Sequence, residues 1–569
     1  TPDNLYFLPD LYVLLVVYAV AAIALLFPLT IIDVPVIADY PNHVARMHIL
    51  SNINAEMMLS QHYAIEFDFI SNLAMDLMVP RLSKIVPLDV AGRLFLALTI
   101  LSTLASVAFL HRTLFNRWSF TPLIALLFVY HGSLMAGMVN FSLGIGLVPA
   151  ALAFWIILQR ASATWRILIG SGVTLFLFFC HIVAFGAYGL LIIAYEAMRI
   201  WDERGQPDGL MRIARNILIA GLTGLIPTVL FVRQLVHYAL TTSADSALSW
   251  GNWSWKAKAL LAPLANYDVT VDLASLAILI GLAIWAWSSD RLKIDRRIAP
   301  GLCLLAVCFV IAPKALWSGG VFDQRLAILF VLIFIGSMNF RAGDAAVRMG
   351  VSSLLIALFL IRLGTITATW LDHRGDLAEM RSAFGRMETG SKVLVVQPDS
   401  AAGPRLAPDR HKAFHHAAHM ASLATLAVIE RSAFVSSIYA IPGQQPLRLR
   451  EPFQDLGGKG AAKIPTLDEL AAAIEQQGEN ALPQIRHWWR DFDYVLLIYG
   501  YGPGAQNHRG NLPLQTLMDG DIVDLFKIKT GGVTTSFDSY EDLVTRPGIK
   551  ARHALPRQTS DVAKSLTFL

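Results

Sequence analysis

The sequence predicts a polytopic α-helical membrane protein of about eleven spans, followed by an α/β domain outside the membrane. Three observations predict it. The 569 residues are 55% hydrophobic and only 15% charged, against roughly 25% charge in soluble domains, and mean hydropathy is +0.53. Apolar runs long enough to cross a bilayer recur along the first two-thirds of the chain. At residue 372 the composition changes, and from DHRGDLAEMRSAFGRMETGSK onward it is that of an ordinary soluble protein.

A span needs about 20 apolar residues. Runs of that kind lie at 11–31, 91–110, 216–233, 271–288, 326–340 and 349–368. Shorter or interrupted runs lie at 120–133, 141–158, 167–180, 183–198 and 300–313, which a bundle tolerates where neighbouring helices bury the backbone. Residues 11–31 lack a clear cleavage motif and read as a retained first span.

The loops test this topology independently. Arg112 and Arg117, then Arg160 and Arg166, then Arg199, Arg204, Arg212 and Arg215 fall on one side of it. So do Arg291, Lys293, Arg296 and Arg297, and then Arg341 and Arg348. All are cytoplasmic if the N-terminus is inside, as the bias of positive loops requires. The opposite loops, 32–88, 134–140, 234–270 and 313–325, are sparser in Lys and Arg. The expected organisation is therefore a membrane domain over 1–371, with a first extracytoplasmic loop at 32–88, and an extracytoplasmic α/β domain over 372–569. The net charge of +4 belongs to cytoplasmic loops. No basic run with interleaved aromatics points to nucleic acid.

Within the α/β domain, KVLVVQP (392–398), YVLLIYG (494–500) and IVDLFKIK (522–529) read as buried strands. Segments 411–430 and 466–477 carry helical periodicity, and Thr466 with Glu469 fits a capping box. GYGPG at 500–504 reads as a turn after a strand rather than a phosphate loop. His411, His415 and His419, with His416 beside them, recur at helical spacing. Without a neighbouring Cys or an acidic partner they read as a solvated or substrate-facing helix rather than a zinc site. Cys180, Cys303 and Cys308 all lie in apolar stretches and suggest neither a zinc site nor a disulfide.

The chemistry concentrates just past the first span, in DVPVIADYPNHVARMHIL. On a helix beginning near Pro41, Asp39, His43 and Arg46 share one face. Asp39 also stands where a carboxylate caps a helix, so the spacing leaves both readings open. Asp33 precedes the same helix and stays the alternative base, with Asp39 preferred because Asp33 is still at the end of the first span. The loop carries two more carboxylates, Glu66 and Asp68, and long loops with helices of their own are often functional. The later loops on this side add His131, Asn140, His181, Lys256, Lys258, Tyr267, Asp268, Lys314, Asp323, Gln324 and Arg325. Arg325 begins an apolar run, where a cation is costly and tends to be functional. A carboxylate facing cations at a membrane surface suits group transfer from a lipid phosphate: the carboxylate takes a proton and the cations steady the departing phosphate.

ADYPNHVARMHIL resembles the first-loop segment of the GT-C glycosyltransferases, in which an Asp is followed by a Pro and a His on the loop's first helix. MVNFSLGIGL (138–147) and FDQRLAILF (322–330) are similar to segments of bacterial members, and the architecture resembles theirs over the whole chain. The resemblance implies a membrane enzyme using a polyprenyl-phosphate-linked sugar, with Asp39 as catalytic base and inversion at the anomeric carbon. Arg325, helped by Lys256, Lys258 or Lys314, would hold the donor phosphate. His43, Arg46, Glu66 and Asp68 would orient the base or contact the acceptor, a glycan or a lipid. The expected place is a bacterial inner membrane, among membrane lipids, with the C-terminal domain periplasmic. The Asp-x-Asp pair of metal-dependent members is absent near Asp39, and Glu66-Phe67-Asp68 is the nearest substitute. No cofactor is expected to be required, with a divalent metal as the open alternative. Two other classes stand beside the enzyme: a transporter or flippase of lipid-linked glycans, and a non-catalytic subunit of a polysaccharide assembly system.

Overall fold

The first span, α1 (Leu11–Leu26), is apolar throughout and tightens into a 3₁₀ turn ending at Thr30. The loop that follows is itself folded into α2 (Tyr40–Asn52), α3 (Met57–His62), β1 (Tyr63–Ile65) and α4 (Ala74–Leu82). The chain then runs through α5 (Leu88–Phe115), a 3₁₀ segment (Thr121–Phe128) and the single turn α6 (Gly132–Met135). Next come α7 (Val139–Leu158), α8 (Ala163–Cys180), α9 (Ile182–Glu203), α10 (Gly209–Thr241), α11 (Trp253–Leu261) and α12 (Val269–Ser288). β2 (Leu292–Ile294), α13 (Ala299–Ile311), α14 (Phe322–Ser337), β3 (Met338–Phe340) and the long α15 (Ala345–Phe384) complete this part. The computed structural model describes residues 11–203, 209–241, 249–315, 320–341, 343–397, 421–458, 464–478, 481–498 and 512–529. The four histidines between 411 and 419 and the 500–504 turn lie outside them.

Eight helices among the described residues are long and apolar enough to cross a membrane: α1 with its 3₁₀ extension, α5, α7, α8, α9, α10, α12 and α15. The three other expected runs are helical but short. They are Thr121–Met135, α13 and α14, the last with 16 residues. Each is shorter than the about 20 residues of a full span, which a bundle tolerates where neighbouring helices bury the backbone. The extended backbone at His131 keeps the first from becoming one straight helix.

Helix α15 has 40 residues, about 60 Å at helical rise and far more than a bilayer core needs. Its apolar half carries Arg362, whose charge is neutralised by Asp272 of α12 at 2.8 Å. Burying an ion is tolerable only with such a partner. The composition break at 372 falls inside this helix, whose last turns pack under a five-stranded sheet. That sheet joins β4 (Lys392–Val396), β5 (Phe434–Val435), β7 (Tyr494–Ile498), β8 (Leu514–Met518) and β9 (Val523–Ile528) in the order β5-β4-β7-β9-β8. β4 runs parallel to β5 and β7, while β9 runs antiparallel to β7 and β8. The sixth strand of this region, β6 (Leu447–Leu449), lies outside the sheet. The continuous Val/Leu runs of β4 and β7 are buried throughout, as strands covered on both faces must be. The capping box forms: the Thr466 side chain accepts from the Glu469 backbone, and Glu469 reaches back to Thr466.

The first loop is sewn to this region. β1 pairs antiparallel with β6, Tyr63 opposite Leu449 and Ile65 opposite Leu447. The Tyr63 hydroxyl donates to the Ala433 carbonyl at 3.1 Å. Deeper in, Arg46 of α2 grips Asp76 of α4 through two hydrogen bonds, 2.7 and 3.1 Å, and donates a third to Gln445 at 2.9 Å. Arg46 and Asp76 are about as buried as any residue in the chain. Arg46→Gln strands the Asp76 carboxylate in a dry interior, which costs about 3–5 kcal/mol when one partner of a buried pair is removed. Chemical denaturation in detergent should show that loss, whereas an unchanged midpoint would mean that the pair does not anchor α2.

Candidate active site

Asp39 ends a short irregular stretch that is held from three sides. The Ala38 N–H donates to the Met135 carbonyl at 2.9 Å. The Tyr267 hydroxyl donates to the Val36 carbonyl and itself accepts from the Trp370 indole of α15 at 2.7 Å. The third hold is steric. Gly137 has φ +90°, and a Cβ there would fall 2.5 Å from the Asp39 nitrogen and 2.7 Å from its Cβ. Only glycine permits that backbone angle and that approach.

Asp39 occupies the N-cap position of α2, but its side chain makes no cap hydrogen bond. The helix-cap reading is corrected by that observation. Proline in the first turn already removes one donor, and the carboxylate is left for another use. Burial pushes the Asp39 carboxyl up to about 6, while a hydrogen bond from the Tyr439 side chain and the Arg46 charge pull it down. One turn on, His43 donates from Nε2 to the Gly137 carbonyl at 2.9 Å. Burial and the Arg46 charge push this imidazole down to about 3, against the pull of that hydrogen bond. It is therefore neutral at physiological pH, and its Nδ1 is a buried acceptor with no partner.

The turn that carries Gly137 also reaches the cation. The Met138 sulfur lies 3.5 Å from Arg325 Nη2, which also donates to the Gly320 carbonyl at 3.2 Å. Arg325 stands in the first turn of α14, with its guanidinium 5.1 Å from the centre of the Phe141 ring. Arg325 Nη1 is 3.1 Å from His181 Nε2, but His181 Nδ1 already accepts from the Val183 N–H at 3.1 Å. A neutral imidazole has one acceptor nitrogen, so only one of these contacts is a hydrogen bond. Arg325 Nε is buried and unpartnered. Among the described residues no carboxylate pairs with Arg325, although it is only 8% exposed.

The other candidates separate from this pair. Lys256 is buried against Asp323 at 3.0 Å and donates to the Phe309 and Ala312 carbonyls. Asp323 also accepts from the Trp255 indole at 3.2 Å, so it is not a counterion for Arg325. Lys314 lies over the Trp255 ring, 4.1 Å from its centre, and Lys258 is exposed. Glu66 pairs with Arg448 at 3.2 Å and Asp68 with Arg233 at 2.6 Å. Asp33 is exposed and meets Arg381 at 3.1 Å. His131 caps α6, and Asn140 holds the turn before α4 by accepting from the Met75 N–H and donating to the Asn72 carbonyl. Asp268 caps α12. Among the described residues no three His, Cys, Asp or Glu side chains gather as a metal site. Sequence reasoning overlooked Gly137, Met138 and Tyr439. MAGMVN offers a glycine as its only signal, and Tyr439 comes from 400 residues downstream.

Fold and site together define a helical membrane protein with a folded first loop and a sheet region after its last long helix. The crystal structure of ArnT from Cupriavidus metallidurans bound to undecaprenyl phosphate is similar, with TM-score 0.50 and 11% identity over 92% of this chain and 100% of that one. The apo state of the same ArnT gives TM-score 0.49 and 10% identity over 90% and 97%. At such identity the likeness establishes the fold. No family model matches the sequence, and no curated protein does.

Gly137→Ala forces the turn away from Asp39. A strained left-handed residue costs about 1–3 kcal/mol, and the clash adds to it. The expected result is a lowered midpoint of thermal unfolding in detergent, and an unaltered midpoint would remove this constraint from the site.

Proposed function

We propose that the protein is an integral membrane glycosyltransferase that moves a sugar from a polyprenyl-phosphate donor to an acceptor hydroxyl outside the cytoplasm. The observation that carries this reading is that one turn touches both, Asp39 through Gly137 and Arg325 through Met138. One is a carboxylate unused by its helix, the other a buried cation with no carboxylate partner among the described residues. Such a cation calls for an anion, and a guanidinium suits phosphate oxygens. The fold likeness to a protein crystallised with undecaprenyl phosphate supports a lipid-phosphate donor.

In the proposed reaction the acceptor oxygen attacks the anomeric carbon as its proton passes to Asp39. The bond from that carbon to the phosphate oxygen breaks, and polyprenyl phosphate leaves with the electron pair. Attack opposite the leaving group inverts the carbon. Arg325 neutralises the charge gathering on the phosphate. Lys314 and the exposed Lys258 are further phosphate contacts in this reading. Lys256 works indirectly by fixing α11 to α14 through Asp323. Arg46 holds α2, and His43 holds the turn beneath Asp39. Glu66 and Asp68, each tied to an arginine, line the acceptor side. The chain would lie in a bacterial inner membrane, N-terminus cytoplasmic and the sheet region periplasmic.

Sugar transfer in membranes, at matched protein levels, tests the reading. Loss of a general base costs about 10²–10⁴-fold, so Asp39→Asn should fall by that much while Asp33→Asn stays near wild type. An Asp39→Asn protein with full activity would sink the assignment and raise the transporter and assembly-subunit readings. Arg325→Met should weaken donor binding, read as a rise in KM for the lipid-linked sugar; an unchanged KM would take the phosphate away from Arg325.

The pH profile gives a separate check. The competent base is the ionised carboxylate, whose pKa burial lifts to about 6. Activity should therefore be present above that value and be lost as pH falls through it. A rate that stays level from pH 7 to pH 5 would exclude Asp39 as the titrating group.

A further inference from the structure

The groups that fix α2 beside Asp39 come from the far end of the chain. Asn42, three residues beyond Asp39, is 1% exposed, and both halves of its amide are taken by one short segment after β5. Its Nδ2 donates to the Ser437 carbonyl at 2.9 Å, and its Oδ1 accepts from the Tyr439 N–H at 2.9 Å. Positions three apart lie on neighbouring parts of one helix face, so the clamp sets the Tyr439 backbone close to the start of α2. From there the Tyr439 side chain hydrogen-bonds Asp39.

We infer that Tyr439 is a positioning residue for the Asp39 base, so that the sheet region completes the active site rather than only covering it. This rests on the reading of Asp39 as the base. The segment is well placed for the task because the sheet holds it. The Ser436 N–H donates to the Val393 carbonyl at 3.0 Å, and the Ser436 hydroxyl accepts from the Val395 N–H of β4 at 3.0 Å. The Ala440 N–H donates to the Gly458 carbonyl at 3.0 Å. Six residues beyond Tyr439, Gln445 accepts from Arg46. The loop is thus pinned to α2 at both ends, which holds the Tyr439 backbone at the start of that helix.

Asp39 has no helix N–H on its oxygens, so a donor from elsewhere must orient it. A phenol that donates to one oxygen leaves the other to receive the acceptor's proton, and it favours the ionised carboxylate. Among the described residues the other charged group acting on Asp39 is Arg46 of α2. The Met135–Met138 turn brings none, and Arg325 stands beyond Met138.

The test compares Tyr439→Phe with wild type and Asp39→Asn in the same transfer assay on the purified full-length protein. Tyr439→Phe keeps the ring and removes the donor. A hydrogen bond to a charged group is worth enough to change a rate about tenfold or more. We expect kcat to drop by about that factor, with KM for the lipid-linked sugar unchanged. The acid limb should move to higher pH, because the carboxylate loses a group that favours its ionised form. A merely structural role would lower thermal stability without moving the limb. Asn42→Ser, which loosens the clamp but leaves the hydroxyl, should move the limb in the same direction by less, and covers the case in which Tyr439→Phe folds poorly. If Asp39→Asn is inactive while Tyr439→Phe keeps wild-type kcat and acid limb, the inference is overturned and the base reading stands. If Asp39→Asn is active, the base reading fails first and the inference falls with it.

Discussion

A missing side chain lets the site exist. At Gly137 the backbone approaches Asp39 more closely than any Cβ allows, at a φ that other residues rarely adopt. Gly137 lies against Asp39 and the next residue, Met138, meets Arg325, so one turn touches both the acid and the cation. A direct ion pair would satisfy both and leave nothing for a substrate. The Ala38 hydrogen bond to Met135 and the His43 hydrogen bond to Gly137 hold the same turn from both ends.

The charges around the site divide sharply by whether they have a partner. Arg46 has Asp76, Arg362 has Asp272 and Lys256 has Asp323, all largely or fully buried. Each pair answers the desolvation that burial imposes and fixes two elements that carry the site. Arg325 stands apart because its neighbours are a sulfur, a carbonyl, an aromatic face and an imidazole. None of these neutralises a full positive charge. Asp39 is the converse, a carboxylate with one tyrosine partner and a pKa lifted toward neutrality. Paired charges build the scaffold, while Asp39 and Arg325, buried without an ion pair among the described residues, are suited to chemistry.

The membrane bundle and the sheet region meet at α2. Its lower turns are gripped by α4 through Arg46 and Asp76, and its first turns by the 437–439 segment through Asn42. Helix α15 reinforces the junction, since Trp370 supports Tyr267 under the Asp39 loop and Arg381 ties Asp33 to Glu430. The fold shared with ArnT covers nearly all of the chain at 11% identity. Agreement at that level resides in the arrangement of helices and the sheet, not in individual side chains, so the chemistry has to be argued from the residues of this chain.

What the sequence by itself determined are the local features. The apolar runs became helices at each expected place, although Thr121–Met135, α13 and α14 proved shorter than a full span. Strands β4, β7 and β9 and the Thr466 capping box were legible because propensity, alternation and capping depend on neighbours in the chain. Asp39 and Arg325 stood out for the same reason, one before a proline-started helix and the other at the head of an apolar run. Tertiary structure alone decided which charges were already spent. Arg46, Lys256, Glu66 and Asp68 look as available as Arg325 in the sequence, yet each meets a partner 30 to 382 residues away. It also decided that Asp39 would not cap its own helix, and that Tyr439 would reach it. The partner of a charge is chosen by packing across the whole chain, and no local pattern records that choice.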